Sequence, residues 1–272
     1  MIDLQISDGI AEVVLNAPGK MNSLNEDALR ELSEVYGRAA RAADSGEVRA
    51  LLLRGEGRGF CAGRDISDVD PAEDDVQGYL GGLVQPLLRR MSEFPAPTFA
   101  SVQGACLGVG LGLAIATDVV YVAENAKIGS PFANLGATLD SGGHWLFTER
   151  LGAHRTLDMI YTAELISGVE AVRSGLFSRS MPADDLLETT RGIVGKVAQG
   201  ATRAFVASKA LVAEVRDQRL GLWESMAHEN RAQDGLCATA GYAEGFQAFQ
   251  EKRTPDVKGC AGPGGIRPVR SR

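Results

Sequence analysis

Gly104-Ala-Cys-Leu-Gly-Val-Gly-Leu-Gly-Leu-Ala114, taken with Gly59-Phe-Cys-Ala-Gly-Arg-Asp-Ile66, decides how this chain is read. Each stretch follows an apolar strand and opens into a helix. Each offers unencumbered main-chain N–H groups at its apex. Side by side, two such turns form a two-donor pocket for a carbonyl oxygen that becomes negative during a reaction. A helix N-terminus adds its dipole to those free N–H groups and suits an anion. Alone, Gly108 to Gly112 reads equally well as close helix packing, because small residues let two backbones approach. The pairing with Phe60-Cys61-Ala62-Gly63 shifts the balance toward an anion pocket.

Outward from these turns, strands alternate with helices. Ile10 to Leu15 and Val48 to Leu53 read as strands. Between them Leu29, Leu32, Tyr36, Ala39 and Ala43 share one helical face, and Ser23-x-x-Glu26 has the pattern of a capping box. Thr98 to Val102 reads as a buried strand, followed by a helix to about Ala116 and a further strand from Asp118 to Ala123. The alternation predicts an α/β fold with crossover connections. From about Asp184 the pattern becomes helical, with candidates at 186–197, 202–215, 220–238 and 242–251.

The bulk numbers narrow the class. A chain of 272 residues with 44% apolar and 23% charged residues reads as globular. A net charge of −7 gives no global basic field for nucleic acid. The cysteines Cys61, Cys106, Cys237 and Cys260 lack C-x-x-C or zinc-like spacing, and read as reduced thiols of a cytoplasmic protein. No His/Asp/Glu cluster has metal-ligand spacing. The N-terminus lacks the features of a signal peptide, and the Gly-rich apolar stretch is shorter than the ~20 residues of a membrane span. G-x-G-x-G at Gly108 is not the dinucleotide fingerprint G-x-G-x-x-G. Neither a P-loop nor a G-x-S-x-G elbow occurs. The tail 259–272, with Arg267, Arg270 and Arg272, is expected to be disordered.

Asp140 is the only carboxylate between Ile128 and Thr148. One reading makes it the N-cap of a helix that starts near Gly142. The other makes it an acid/base among Phe132, Leu135, Leu139 and Trp145, where burial raises its pKa toward a useful range. His144 lies four residues on and shares a helical face with Asp140 if that stretch is helical. Leu80, Leu83, Leu87, Met91 and Phe94 read either as pocket wall or as ordinary core.

Several ordered motifs make the chain resemble the crotonase superfamily of enoyl-CoA hydratases and isomerases over about residues 1–258. They are Leu15-Asn-x-Pro18 with Lys20-Met-Asn-Ser-Leu24, Gly59-Phe-Cys-Ala-Gly-Arg-Asp-Ile66, Gln103-Gly-x-x-Leu-Gly-x-Gly110, Thr117-Asp-Val-Val-Tyr121, Gly142-Gly143 and Phe249-x-Glu-Lys-Arg-Thr-Pro-Asp256. The resemblance implies a spiral core of ββα units (1–195), a C-terminal helical trimerisation region (196–258), and homotrimers or dimers of trimers. It implies an acyl-CoA thioester as substrate, with coenzyme A as part of that substrate and no further cofactor. It assigns the oxyanion donors to the N–H groups of Ala62 and Val109. It assigns CoA contacts to Lys20, to Ala62, Gly63, Arg64, Asp65 and Ile66, and to Phe249 and Lys252. Arg64 stands where a small residue is common, and is read as reaching toward a phosphate.

The departures bear on the reaction. Hydratases of this family carry two glutamates. The matching positions here are Gly112 and Phe132, and neither can hold water or deliver a proton. Leu139-Asp-Ser-Gly-Gly-x-Trp145 is most similar to the ring-1,2-epoxyphenylacetyl-CoA isomerase branch. Dehalogenases of the family use an aspartate there too, but their helper histidine aligns near Gln85. An isomerase with Asp140 as acid/base is therefore expected. A hydratase-like or hydrolase activity and a non-catalytic acyl-CoA binder are the alternatives.

Overall fold

Leu51, Leu52 and Leu53 are completely buried because their strand, β3 (Ala50–Gly55), lies inside a six-stranded sheet with helices packed against it. The computed structural model describes residues 1–67 and 69–257; the tail read as disordered lies outside the described residues. β3 is flanked by β2 (Ile10–Leu15) and β4 (Thr98–Val102), and the sheet continues to β1 (Ile2–Ser7) on one side and β6 (Val119–Ala123) and β9 (Arg179–Met181) on the other. β1 and β2 are antiparallel; every later pairing is parallel. Continuous apolar runs such as that of β3 suit a parallel sheet buried on both faces.

A second sheet holds β5 (Ala105–Leu107), β7 (Lys127–Gly129) and β8 (Ile166–Ser167). Successive strands go alternately to the large and the small sheet: β4 then β5, β6 then β7. Each two-strand step is followed by helix. That is the repeating unit expected of the spiral.

The helix α1 (Glu26–Asp44) connects β2 to β3 and buries Leu29, Leu32, Tyr36 and Ala39 as the periodicity predicts. Its cap differs from expectation. Asn25, not Ser23, is the N-cap, and its side chain accepts from Ala28 N–H at 3.0 Å. Glu26 is thus the first helical residue, too early for the reciprocal capping-box bond. Residues 76–92 are helical throughout, as α2 (Val76–Tyr79), a π turn (Leu80–Val84) and α3 (Gln85–Ser92). Leu87, Met91 and Phe94 are buried core residues, so the packing reading holds for them.

The helix α4 (Val109–Ile115) follows β5; α5 (Gly143–Leu151) and α6 (Ala153–Thr162) lie between β7 and β8, and α7 (Gly168–Arg173) between β8 and β9. α8 (Ala183–Ala198) packs across β3, β4 and β6. Then come α9 (Thr202–Gln218), α10 (Leu222–Cys237) and α11 (Ala240–Glu251). Two cations anchor this last part. Arg49 donates to Gly200 O at 2.6 Å, Thr202 Oγ1 at 3.2 Å and Val257 O at 3.3 Å. Lys209 reaches Phe94 O at 3.0 Å and Asp118 at 3.1 Å. Burial lowers the pKa of Lys209, and Asp118 opposes that shift. Among the described residues, no helix is long and apolar enough to cross a membrane.

Candidate active site

Main-chain hydrogen bonds zip the two Gly-rich turns together. Phe60 N–H donates to Gln103 O (2.7 Å), Cys61 N–H to Ala105 O (2.9 Å) and Leu107 N–H to Cys61 O (3.0 Å). Gly110 belongs at this junction, since a Cβ there would lie 2.5 Å from Cys61 O. A Cβ on Gly63 would lie 2.9 Å from Leu107 O and 3.7 Å from Val109 N, so the two apices adjoin. Gly108 turns the chain at a left-handed φ of 52° just before α4, a conformation open chiefly to glycine.

Asn22 locks the arrangement from below, and nothing in the pattern of charges or periodicity singles it out. It is 1% exposed. Its amide donates to Glu56 O, Gly59 O and Phe60 O at 3.0, 2.8 and 3.1 Å, and its carbonyl accepts from Ala17 N–H at 2.8 Å. The Cys61 thiol donates to Asn22 O at 3.0 Å. Burial pushes that thiol up to about 12, so it is a packing group and not a nucleophile.

Buried main-chain donors are normally paired, so the unpaired ones are informative. Ala62 N–H donates to Met21 O at 2.9 Å. It is therefore engaged, which corrects its expected role as a free oxyanion donor. Gly63 N–H faces Cys61 Sγ at 3.4 Å and Asp65 N–H donates to Leu24 O at 2.9 Å. The N–H groups of Arg64 and Val109 have no acceptor among the described residues. Arg64 and Val109, on the two adjoining apices, are thus an available pair of donors. At the strand-like bridge between Leu24 and Arg64 the Asp65 N–H faces Leu24, and the preceding N–H, that of Arg64, points away from it.

Asp140 sits at the other side of this junction. The helix it was read to cap begins at Gly143, and Gly142, the N-cap residue, makes no side-chain bond. The Asp140 main-chain carbonyl accepts from Gly143 N–H at 2.9 Å, while its carboxylate accepts from the Ser141 hydroxyl at 2.7 Å. The carboxylate is thus not a helix cap. Desolvation raises its pKa; the Ser141 bond and the charge of Arg64 pull the other way. Ser141 has φ of 53°, a left-handed conformation that costs a residue with a side chain on the order of 1 kcal/mol. His144 meets Thr138 at 3.4 Å, not Asp140. Of the other histidines, His154 is exposed and His228 bonds Glu214 at 2.7 Å.

The two positions without glutamates explain how Asp140 comes in. A Cβ on Gly112 would lie 2.5 Å from Ser141 Cβ, so the missing side chain is the space that the 140–141 loop occupies. The Phe132 ring packs on the turn, with Cζ 3.0 Å from a Cβ at Gly108. Beside the loop opens a groove of about 650 Å³, lined by Leu80, Val84, Gly112, Ser141, Trp145 and Leu146 among others.

The remaining expected contacts fall into two groups. Lys20 Nζ pairs with Asp65 at 2.8 Å, and with Ser67 it holds the Asp65 carboxyl down to about 2. Ile66 is half exposed beside them. The Arg64 side chain is bound by Asp74 instead of projecting toward a phosphate site. Phe249 and Lys252, by contrast, lie at the end of α11, both exposed. Phe249 borders a cavity of about 490 Å³ with Arg49, Thr202, Tyr242 and Val257. That cavity shares no lining residue with the groove beside Asp140, and neither is bordered by Lys20 or Ala62–Ile66. Among the described residues, no group of three or more His, Cys, Asp or Glu side chains is arranged to hold a metal ion.

Comparison with known proteins agrees with this architecture. A family model described as enoyl-CoA hydratase/isomerase matches residues 5–260. A Rhodobacter capsulatus protein named probable enoyl-CoA hydratase is 36% identical over 259 residues, covering 95% of this chain and 98% of the relative. The 1,2-epoxyphenylacetyl-CoA isomerase of Escherichia coli is 29% identical over 258 residues, covering 93% and 97%. The crystal structure of enoyl-CoA hydratase from Bacillus anthracis matches with a TM-score of 0.86 at 28% identity, covering 95% of this chain and 99% of that one. With the spiral of two sheets, the zipped Gly-rich turns and a match along almost its whole length, this chain belongs to the enoyl-CoA hydratase/isomerase family, the crotonase superfamily.

Proposed function

We propose that this protein is an acyl-CoA isomerase that moves a double bond by proton transfer. The thioester carbonyl oxygen accepts from the N–H groups of Arg64 and Val109. Asp140, as carboxylate, takes a proton from a carbon of the acyl chain, and the electron pair passes into a dienolate whose oxygen the two N–H groups stabilise. Asp140, now a carboxylic acid, returns the proton to a different carbon. The bonds balance without a second acid or a held water. Coenzyme A enters as part of the substrate, and no other cofactor is needed.

One observation carries the proposal: Ser141, whose hydroxyl bonds the desolvated Asp140 carboxylate, fills the space left by Gly112, while Phe132 takes the other glutamate position. Hydration needs a polar pair to hold water, and these two residues supply none. The relatives bear both hydratase and isomerase names, so the choice rests on these residues of this chain.

The test is a panel of unsaturated acyl-CoA thioesters followed in deuterated water. The protein is expected to exchange protons and shift the double bond, and to leave crotonyl-CoA unhydrated. Asp140→Asn should keep CoA affinity and lose on the order of 10²–10⁴ in rate. Unaltered turnover by Asp140→Asn, or efficient hydration of crotonyl-CoA by the wild type, overturns the proposal.

Phe249 lines a cavity that none of Lys20 and Ala62–Ile66 borders, which fits a site completed by a neighbouring copy. We therefore propose a homotrimer or a dimer of trimers. α10 buries no residue in the single chain, and Leu222, Trp223, Phe246 and Phe249 are all exposed. Sedimentation at three or six chain masses is expected; a stable monomer with full activity contradicts it.

A further inference from the structure

Ser141 follows Asp140 in the chain and also touches it. Its hydroxyl donates to Asp140 Oδ1 at 2.7 Å, and Oδ2 has no hydrogen-bond partner among the described residues. Side chains of adjacent residues normally point apart, in a strand as in a helix. These two meet because Ser141 and Gly142 both have left-handed φ, 53° and 79°, which curls the chain back. Glycine takes such a φ without strain and serine does not. The turn alone calls for glycine at 141; what serine adds is a Cβ and a hydroxyl.

The Cβ is seated on the bare backbone of Gly112. A Cβ built at Gly112 would lie 2.5 Å from Ser141 Cβ and 3.2 Å from its Oγ. Gly112 stands three residues past Val109 on α4, and its N–H donates to Gly108 O at 3.1 Å. The seat therefore belongs to the helix that presents the Val109 N–H. On the other side, Leu139 Cδ2 lies 2.7 Å from a Cβ built at Gly143, and Gly143 N–H donates to Asp140 O at 2.9 Å. Ser141 also borders the groove of about 650 Å³. One residue thus joins the carboxylate, the helix and the groove.

Few charges face the carboxylate. α4 has no titratable side chain from Val109 to Ile115, and His144 of α5 meets Thr138. Arg64 acts on Asp140 but is bound by Asp74, and Tyr79 of α2 is a buried phenol. Arg89 of α3, Glu93 at its end and Arg216 of α9 border the groove, and Arg216 pairs with Asp217. Ser141 is the one side chain that donates to the Asp140 carboxylate among the described residues.

We propose that Ser141 is a positioning residue for Asp140: seated on Gly112, its hydroxyl holds Oδ1 and leaves Oδ2 to move the proton. The role rests on Asp140 being the base. A short O–H···O⁻ bond fixes the plane of the carboxylate, and the seat on α4 sets that plane relative to the Val109 N–H. Oδ2 takes the proton from one carbon and returns it to another, while the Ser141 proton stays on its own oxygen. The bond also favours the ionised form and so opposes the effect of burial.

The test separates the hydroxyl from the Cβ. Ser141→Ala keeps the seat and removes only the bond. Its kcat should fall on the order of 10–100-fold with KM unchanged, and the acid limb of its kcat profile should move up by about one pH unit. A higher pKa alone makes a stronger base and would raise the plateau rate, so a lower plateau reports lost position. Gly112→Ala should lose stability through its clash with Ser141 Cβ; adding Ser141→Gly should restore stability but not turnover. In the full chain without ligand, the Asp140 carboxyl is followed by ¹³C NMR, its signal assigned by its loss in Asp140→Asn. It should titrate higher in Ser141→Ala than in the wild type. Wild-type kcat or an unmoved Asp140 titration in folded Ser141→Ala overturns the proposal. If that variant does not fold, the same result in Ser141→Gly overturns it. Turnover retained by Asp140→Asn removes Asp140 as the base but leaves the titration shift in Ser141→Ala intact, so the two failures are distinguishable.

Discussion

The zipped turns at 59–66 and 104–110 and the loop that carries Asp140 meet at Gly112, yet they are held by different forces. The turns are bound by main-chain bonds on both flanks, by the four hydrogen bonds of the Asn22 side chain and by close backbone contact at Gly110. Cys61, Cys106 and Val109 are essentially buried there. The Asp140 loop has exposed residues from Ala133 to Thr138, a left-handed serine and a carboxylate that accepts from its own neighbour. The difference teaches where each kind of chemistry belongs. An oxyanion pocket works by being preorganised before charge develops. A base that gives and takes a proton must instead be uncommitted, and desolvation rather than bonding sets its strength.

Val109→Pro is the severest challenge to the rigid half. Proline is tolerated at the first helical position but has no N–H. The fold should persist while kcat falls on the order of 10²–10³-fold, about 3–4 kcal/mol in barrier. Wild-type kcat in that variant removes Val109 from the pocket. Next in size is Asn22→Ala, which leaves the carbonyls of Glu56, Gly59 and Phe60 short of a donor and puts alanine at φ of 56°. A loss of about 3 kcal/mol in denaturant unfolding is expected. A change below about 0.5 kcal/mol would show that the turns do not depend on this amide.

The smallest effect sharpens the contrast from the side of the loop. The folded-state pKa of Asp140 is raised by desolvation, so folding opposes ionisation. Its favourable contribution is complete below the unfolded-state pKa and is lost as pH rises through the folded-state pKa. Asp140→Asn should therefore raise Tm at neutral pH, and the advantage should shrink on acidification into the ordinary carboxylate range. An advantage independent of pH would mean that the carboxylate is not desolvated.

Much of the fold was legible because its signals are local. The apolar runs at β2, β3, β4 and β6 and the stripe of α1 follow from strand and helix periods that hold wherever the segment is placed. The short strands β5, β7, β8 and β9 were not predicted. Each is two or three residues long, too short for a period to declare itself. Ser23 and Asn25 offer the same capping chemistry two residues apart, and it is Asn25 that caps α1 in the fold.

By itself the sequence determined the α/β alternation, the meeting of two glycine-rich turns, the lack of carboxylates at 112 and 132, and the isolation of Asp140. These depend on residue type and spacing, which a linear chain displays. Only the tertiary structure decided that Met21 O takes the Ala62 N–H and leaves that of Arg64 free. It also decided that the Asp140 carboxylate caps nothing and that Asp74 holds the Arg64 side chain. Whether a donor, acid or cation is available depends on which distant group reaches it first, and that is settled by packing rather than by order along the chain.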